Sequence, residues 1–111
     1  MPADEPETDR LFETRWVHVF EEDTPAGSVF RPDTTAIPLS RRPRRQFELR
    51  QDGSARLFGA GPDDRFVEQA ATWKADNDGV VVRSSRGDHE IRIVDRSAAR
   101  LIVRTAGSGA W

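Results

Sequence analysis

The chain contains no cysteine, which excludes disulfides, cysteine-ligated zinc and thiol catalysis. Its only two histidines, His18 and His89, are too few for a histidine-rich metal site, and no metal or cofactor is expected. Long apolar runs are missing too. No stretch approaches the roughly 18 residues of a membrane-spanning helix, and no basic segment followed by an apolar run suggests a secretory signal. Nor is there an excess of one charge: 17 Lys and Arg against 19 Asp and Glu leave a net charge of −2. The basic surplus of a nucleic-acid binder is therefore absent. With 111 residues, 36% of them hydrophobic, the chain has length for one domain with a modest core. The expectation is a soluble, cytoplasmic domain.

What the sequence does hold is period-two alternation broken by turn residues. Residues 1–10 (MPADEPETDR) read as a solvated, disordered acidic tail, residues 11–105 as a single β domain, and residues 106–111 (AGSGAW) as a flexible exit. Leu11 to Phe20 reads as a strand with Phe12, Thr14, Trp16, His18 and Phe20 on one face. In Gln46–Gln51, Phe47 and Leu49 point inward and Glu48 and Arg50 outward. Asp52-Gly53 is a strong hairpin signal, since a type I′ turn needs positive φ at both central positions. Strands over 54–59, 65–75, 80–85, 89–95 and 100–105 follow, with no amphipathic helix between them. The fold class is all-β, an antiparallel up-and-down meander.

Closing such a meander into a barrel requires an even number of strands, because the last must oppose the first. Gly27–Arg31, with Val29 and Phe30, supplies the eighth, and Pro32 sits at its margin. A barrel of about eight strands has an interior just wide enough for side chains or one small ligand. In a meander the tight turns 52–53, 76–79 and 96–99 share one end, and the loops 33–45, 60–64 and 86–88 share the other. The long-loop end is the expected mouth.

Thr14-Arg15-Trp16 on the first strand, with Arg104 on the last, resembles the signature of the calycins. The segments EEDTPAGSVFRP, PLSRRPRRQFELRQDGSARLFGAGPDDR and ATWKADNDGVVV resemble small bacterial lipocalin-like proteins, over about residues 14–105. Thr14 stands where lipocalins usually carry glycine. The resemblance implies a lipocalin-like barrel in which the arginine packs on the tryptophan as a clasp, Arg104 on Trp16. Fold does not fix function, so no activity is implied with it.

Several residues carry chemistry, each beside a structural reading. His18 and Gln69 are polar groups on apparently inward faces, and convergent polar groups in an apolar barrel can orient a ligand. They could equally form a satisfied core pair. His89 lies near the expected mouth or is an ordinary strand-edge residue. Glu21-Glu22-Asp23 could bind a cation or tune one another, or could form a solvated turn. Arg41-Arg42-Pro43-Arg44-Arg45 sets four guanidinium groups in five residues, a local field that favours carboxylate or phosphate. Arg31 and Arg65 lean toward the same rim. The alternative is a loop paired with Asp63 and Asp64. Arg86-Gly87-Asp88 reads as a turn.

The expected function is binding of a small apolar or amphipathic molecule with an acidic end. Trp16, Phe20, Phe47 and Leu49 would line the interior, His18 and Gln69 would orient the ligand, and Arg31 and Arg41 would attract its anionic group. One alternative is a small lipocalin-like cyclase or isomerase with His18 assisting proton transfer. Another is a solid-cored interaction module using an exposed strand edge or the arginine loop. Pairing of two copies through an edge strand is a further expectation.

Overall fold

A computed structural model describes residues 11–41, 43–60, 65–76, 79–84, 87–97 and 100–107. The acidic tail, Arg42, Asp63, Asp64, Arg86 and Trp111 lie outside the described residues. The strands are β1 (Arg15–His18), β2 (Ser28–Pro32), β3 (Gln46–Leu49), β4 (Ser54–Ala60), β5 (Phe66–Asp76), β6 (Gly79–Ser84), β7 (Gly87–Ser97) and β8 (Arg100–Gly107). They close into an antiparallel eight-stranded barrel in the order β1-β2-β8-β7-β6-β5-β4-β3. The segment around Gly27–Arg31 is indeed the eighth strand. β8 continues through Ala106 and Gly107, where a flexible exit was expected.

The alternation is that of a filled barrel. Trp16, Phe30, Phe47, Leu49, Leu57, Val82, Ile91, Leu101 and Val103 point inward, each 0–1% exposed. They pack as one cluster with Ala55 and Val80. Interiors of this kind are close-packed solids, not oil droplets. The space expected around Trp16, Phe47 and Leu49 is occupied by those side chains themselves.

Closure also leaves each of the eight strands paired on both sides. Edge-strand addition, by a partner or a second copy, therefore has no free strand among the described ones to use.

Chain order departs from a simple meander at one place. β1 pairs antiparallel with both β2 and β3, so β2 and β3 run in the same direction. Residues 33–45 must then cross from one end of the barrel to the other, outside β1. Calling the end where β1 starts lower and the end where it finishes upper, the crossover leaves at the bottom, where the Asp33 N–H donates to Arg15 O at 2.9 Å. It arrives at the top, where the His18 N–H donates to Arg45 O at 2.8 Å. It covers Val17, which faces outward yet is 5% exposed. The 33–45 segment is thus an outer strap, not a loop at the mouth. The tight turns after β3, β5 and β7 do share the lower end, and the β4–β5 and β6–β7 connections share the upper.

The lower end is plugged. Glu13 adopts φ 59°, a left-handed conformation that turns the chain beneath the barrel. Leu11 is buried there, and the Trp16 indole Nε1 donates to Leu11 O at 3.1 Å. Phe12 stacks on Trp73, ring centroids 5.0 Å apart, while Trp73 Nε1 donates to Arg50 O at 2.6 Å.

Candidate functional site

Following the pairings around the barrel separates an apolar lower lumen from a polar upper one. Alternation from Trp16 turns His18 inward at the top of β1, where it stacks on Phe30, and Arg45, the residue before β3, is half-buried with its charge acting on the imidazole. Gln69 lies opposite Leu57 on β5, Ser84 opposite Ala71 on β6, and His89 opposite Val82 on β7, all on the inner face. Phe47, Leu57, Val82 and Ile91 form the apolar floor beneath them. Each polar residue stands near the end of its strand where chain direction brings it to the upper rim.

His18 is the most constrained of these. Its Nε2 lies 3.0 Å from both carboxylate oxygens of Asp23. A carboxylate only accepts, so Nε2 carries a proton and donates it to Asp23. Nδ1 has no hydrogen-bond partner among the described residues. The ring stacks on Phe30 at 5.1 Å and meets the edge of Phe20 at 6.3 Å. Burial holds the imidazole pKa below its ordinary value; the Asp23 hydrogen bond opposes this, and the Arg45 and Arg44 charges add to it. Asp23 thus holds the ring in a fixed orientation, while burial favours its neutral form.

Asp23 is itself held in place. Its Oδ1 also accepts the Val29 N–H at 2.8 Å, and its charge acts on Arg45, whose pKa is lowered by burial. The Ser84 hydroxyl donates to Gln69 Oε1 at 3.1 Å. His89 is 5% exposed, and burial lowers its pKa while Asp88 opposes the shift. It belongs to the lumen wall, not to a strand edge.

The acidic triplet proves to be a set of counter-charges. Glu21 takes a two-pronged bond from Arg44, at 2.9 and 2.7 Å. Glu22 accepts from Arg31 at 3.1 Å, and Asp23 serves His18. Arg44 further donates to the carbonyls of His18 and Pro38 and lies over the Phe20 ring at 4.8 Å. The arginine run is thus divided. Arg41 is exposed on the outer strap, Arg44 is a buried tie, and Arg45 is half-buried within the reach of the charges of His18 and Asp23. Arg31, one residue past inward Phe30, points outward, so neither Arg31 nor Arg41 reaches the interior.

Two other expected roles fail for a backbone reason. Phe20 is 52% exposed because the chain leaves β1 at Val19 and enters a 3-10 turn over Phe20–Glu22. Arg104 follows inward Val103 and faces out, where its Nε donates to Ala26 O at 2.9 Å. It cannot stack on Trp16, and the clasp implied by the calycin resemblance is absent. Comparison of the chain with family models, with curated proteins and with solved structures gives no match.

Elsewhere, a cleft of about 630 Å³ at the lower end is lined by Glu13, Thr14, Arg15, Asp33 and Glu48. A recess of about 330 Å³ beside the plug is formed by Phe12, Trp73, Val80 and Ile93. Among the described residues no group of three or more His, Asp or Glu side chains is placed to hold a metal ion. Nor is any helix there long and apolar enough to cross a membrane.

Proposed function

We propose that this protein binds a small amphipathic molecule at the upper end of its barrel. The polar end of the molecule would meet Arg45, His18, Gln69 and His89, and its apolar part would rest on Phe47, Leu57 and Val82. The observation that carries this reading is the segregation of the lumen. His18, Gln69, Ser84 and His89 gather on the inner face at one end of an otherwise apolar interior. A shallow end site also accords with the filled core, which leaves a deep calyx no room. A lipocalin-like kinship belongs to the same proposal, supported by the eight-stranded barrel and the motifs around Trp16 and the Asp52-Gly53 hairpin.

Native mass spectrometry of gently purified protein tests the reading. An added mass released on denaturation supports it, as does a melting rise with small acids that disappears in Arg45→Gln. A bare mass with no melting shift for any small acid contradicts it.

The Asp23–His18 pair favours one second reading, an enzyme in which neutral His18 takes a proton from the bound molecule. It requires turnover that His18→Gln abolishes while binding persists.

A further inference from the structure

A β-bulge sets the charge at the lower mouth of the barrel. We propose that the recess beside the plug is a second binding site, independent of the upper end, for a small two-ring aromatic carboxylate. Its rings would lie against Phe12 and Trp73 and its carboxylate on Arg96.

β7 pairs with β8 in regular alternation down to Ile93, opposite Val103, and then slips by one residue, so that Asp95 meets Ile102 and Arg96 meets Leu101. Directly opposed residues on paired strands share a face, and Val103 and Leu101 are buried inside the barrel. Ile93 and Arg96 therefore both face inward. Unbroken alternation from Ile93 would have set Asp95 there instead; in the bulged strand Asp95 is exposed and Arg96 half-buried. Bulges re-aim side chains in this way and recur beside functional sites. Arg96 lines the recess of about 330 Å³ together with Leu11, Phe12, Trp73, Ala75 and Ile93. Among the described residues, nothing forms a hydrogen bond or ion pair with its guanidinium.

The rest of the wall dictates what accompanies the anion. Phe12 and Trp73 stack with centroids 5.0 Å apart and planes inclined by 24°, and the Trp73 indole N–H is committed to Arg50 O at 2.6 Å. The rings thus offer hydrocarbon of fixed orientation. Both are half-buried, so a flat apolar body laid on them removes surface still in contact with water. Ala75 leaves room that a longer side chain would fill. A guanidinium grips a carboxylate through two parallel bonds, and one cation balances one negative charge. The volume lies at the small end of ligand pockets and suits two fused rings. A one-ring acid leaves much of it unfilled, so the two ends of the barrel take different acids.

Calorimetric titration with 2-naphthoate and with 2-naphthamide, a neutral molecule of the same shape, tests this. The wild-type protein is expected to bind the carboxylate about tenfold more tightly than the amide. Arg96→Gln should bring that ratio to about one. Ala75→Leu, at an exposed position from which the longer side chain fills the recess, should weaken both ligands about tenfold or more. Equal affinities in the wild type, a preference that survives Arg96→Gln, or undiminished binding to Ala75→Leu overturns the inference. Absence of binding at millimolar concentration does so too. Amide NMR of the wild-type protein gives a check free of any folding defect in the variants. The resonances of Phe12, Trp73, Ile93 and Arg96 should move with 2-naphthoate. Movement confined to His18, Gln69 and His89 overturns the inference and leaves the upper-end reading standing, since the two sites share no residue.

Discussion

His18 and Asp23 meet at the upper end of the barrel, with the imidazole Nε2 3.0 Å from each carboxylate oxygen. The residues are five apart in sequence and are brought together because the chain turns through Phe20–Glu22 before reaching β2. The contact fixes the imidazole's orientation and, through the Val29 N–H, ties the start of β2 to the end of β1.

The two histidines predict how stability depends on pH. Both have pKa values lowered in the fold, chiefly by burial. The unfolded chain then binds more protons than the folded one as the solution becomes acidic. Their contribution is fully present above the ordinary histidine pKa of about 6.5 and is lost as pH falls toward the folded values. Denaturant midpoints should fall between pH 7.5 and 5.5, with a slope of at most about 1.4 kcal/mol per pH unit per histidine. His89→Leu should reduce that slope, and a flat profile would contradict the assignment.

The arginine run should divide by position, not act by composition. Arg44→Ala removes the bonds to Glu21 and to the carbonyls of His18 and Pro38, together with the contact over Phe20. A loss of about 1–3 kcal/mol is expected. Arg41→Ala, on the exposed strap, should stay within about 0.5 kcal/mol of wild type. Urea denaturation of both variants checks this, and equal effects would contradict the division.

A packed lower lumen predicts a large cost for truncation there. Phe47→Ala, at a position 0% exposed and in edge contact with Phe30 at 5.1 Å, should destabilise by about 3–5 kcal/mol. A loss below about 1 kcal/mol would mean that this part of the barrel is a ligand cavity after all.

Much of this architecture was legible in the sequence because a half-buried strand declares itself by period two. The eighth strand at Ser28–Pro32 followed from parity and from Val29-Phe30, and the hairpin at Asp52-Gly53 from its turn residues, but only Gly53 takes a positive φ and the loop spans Gln51–Gly53, so the turn is not the expected type I′. The β2–β3 crossover was not legible. Thirteen residues with Pro38 and Pro43 can return at the same end or run the barrel's length, and periodicity carries no signal of direction. Phe20 was misplaced because the alternation continues one step beyond the point where the backbone leaves the strand. Arg104 was misplaced because the resemblance overrode parity, which sets it opposite in facing to Val103. The Asp23–His18 pair lay beyond any periodic signal, since a tight turn creates it.

The central claim is that ligand chemistry sits at the polar upper end of a filled barrel. Amide NMR during titration with 2-hydroxybenzoate tests it most directly. The account predicts that shift changes concentrate on His18, Arg45, Gln69, Ser84 and His89. Changes concentrated instead on Phe12, Trp73 and Ile93 at the lower recess, or on Ile37 and Leu39 of the outer strap, would contradict it.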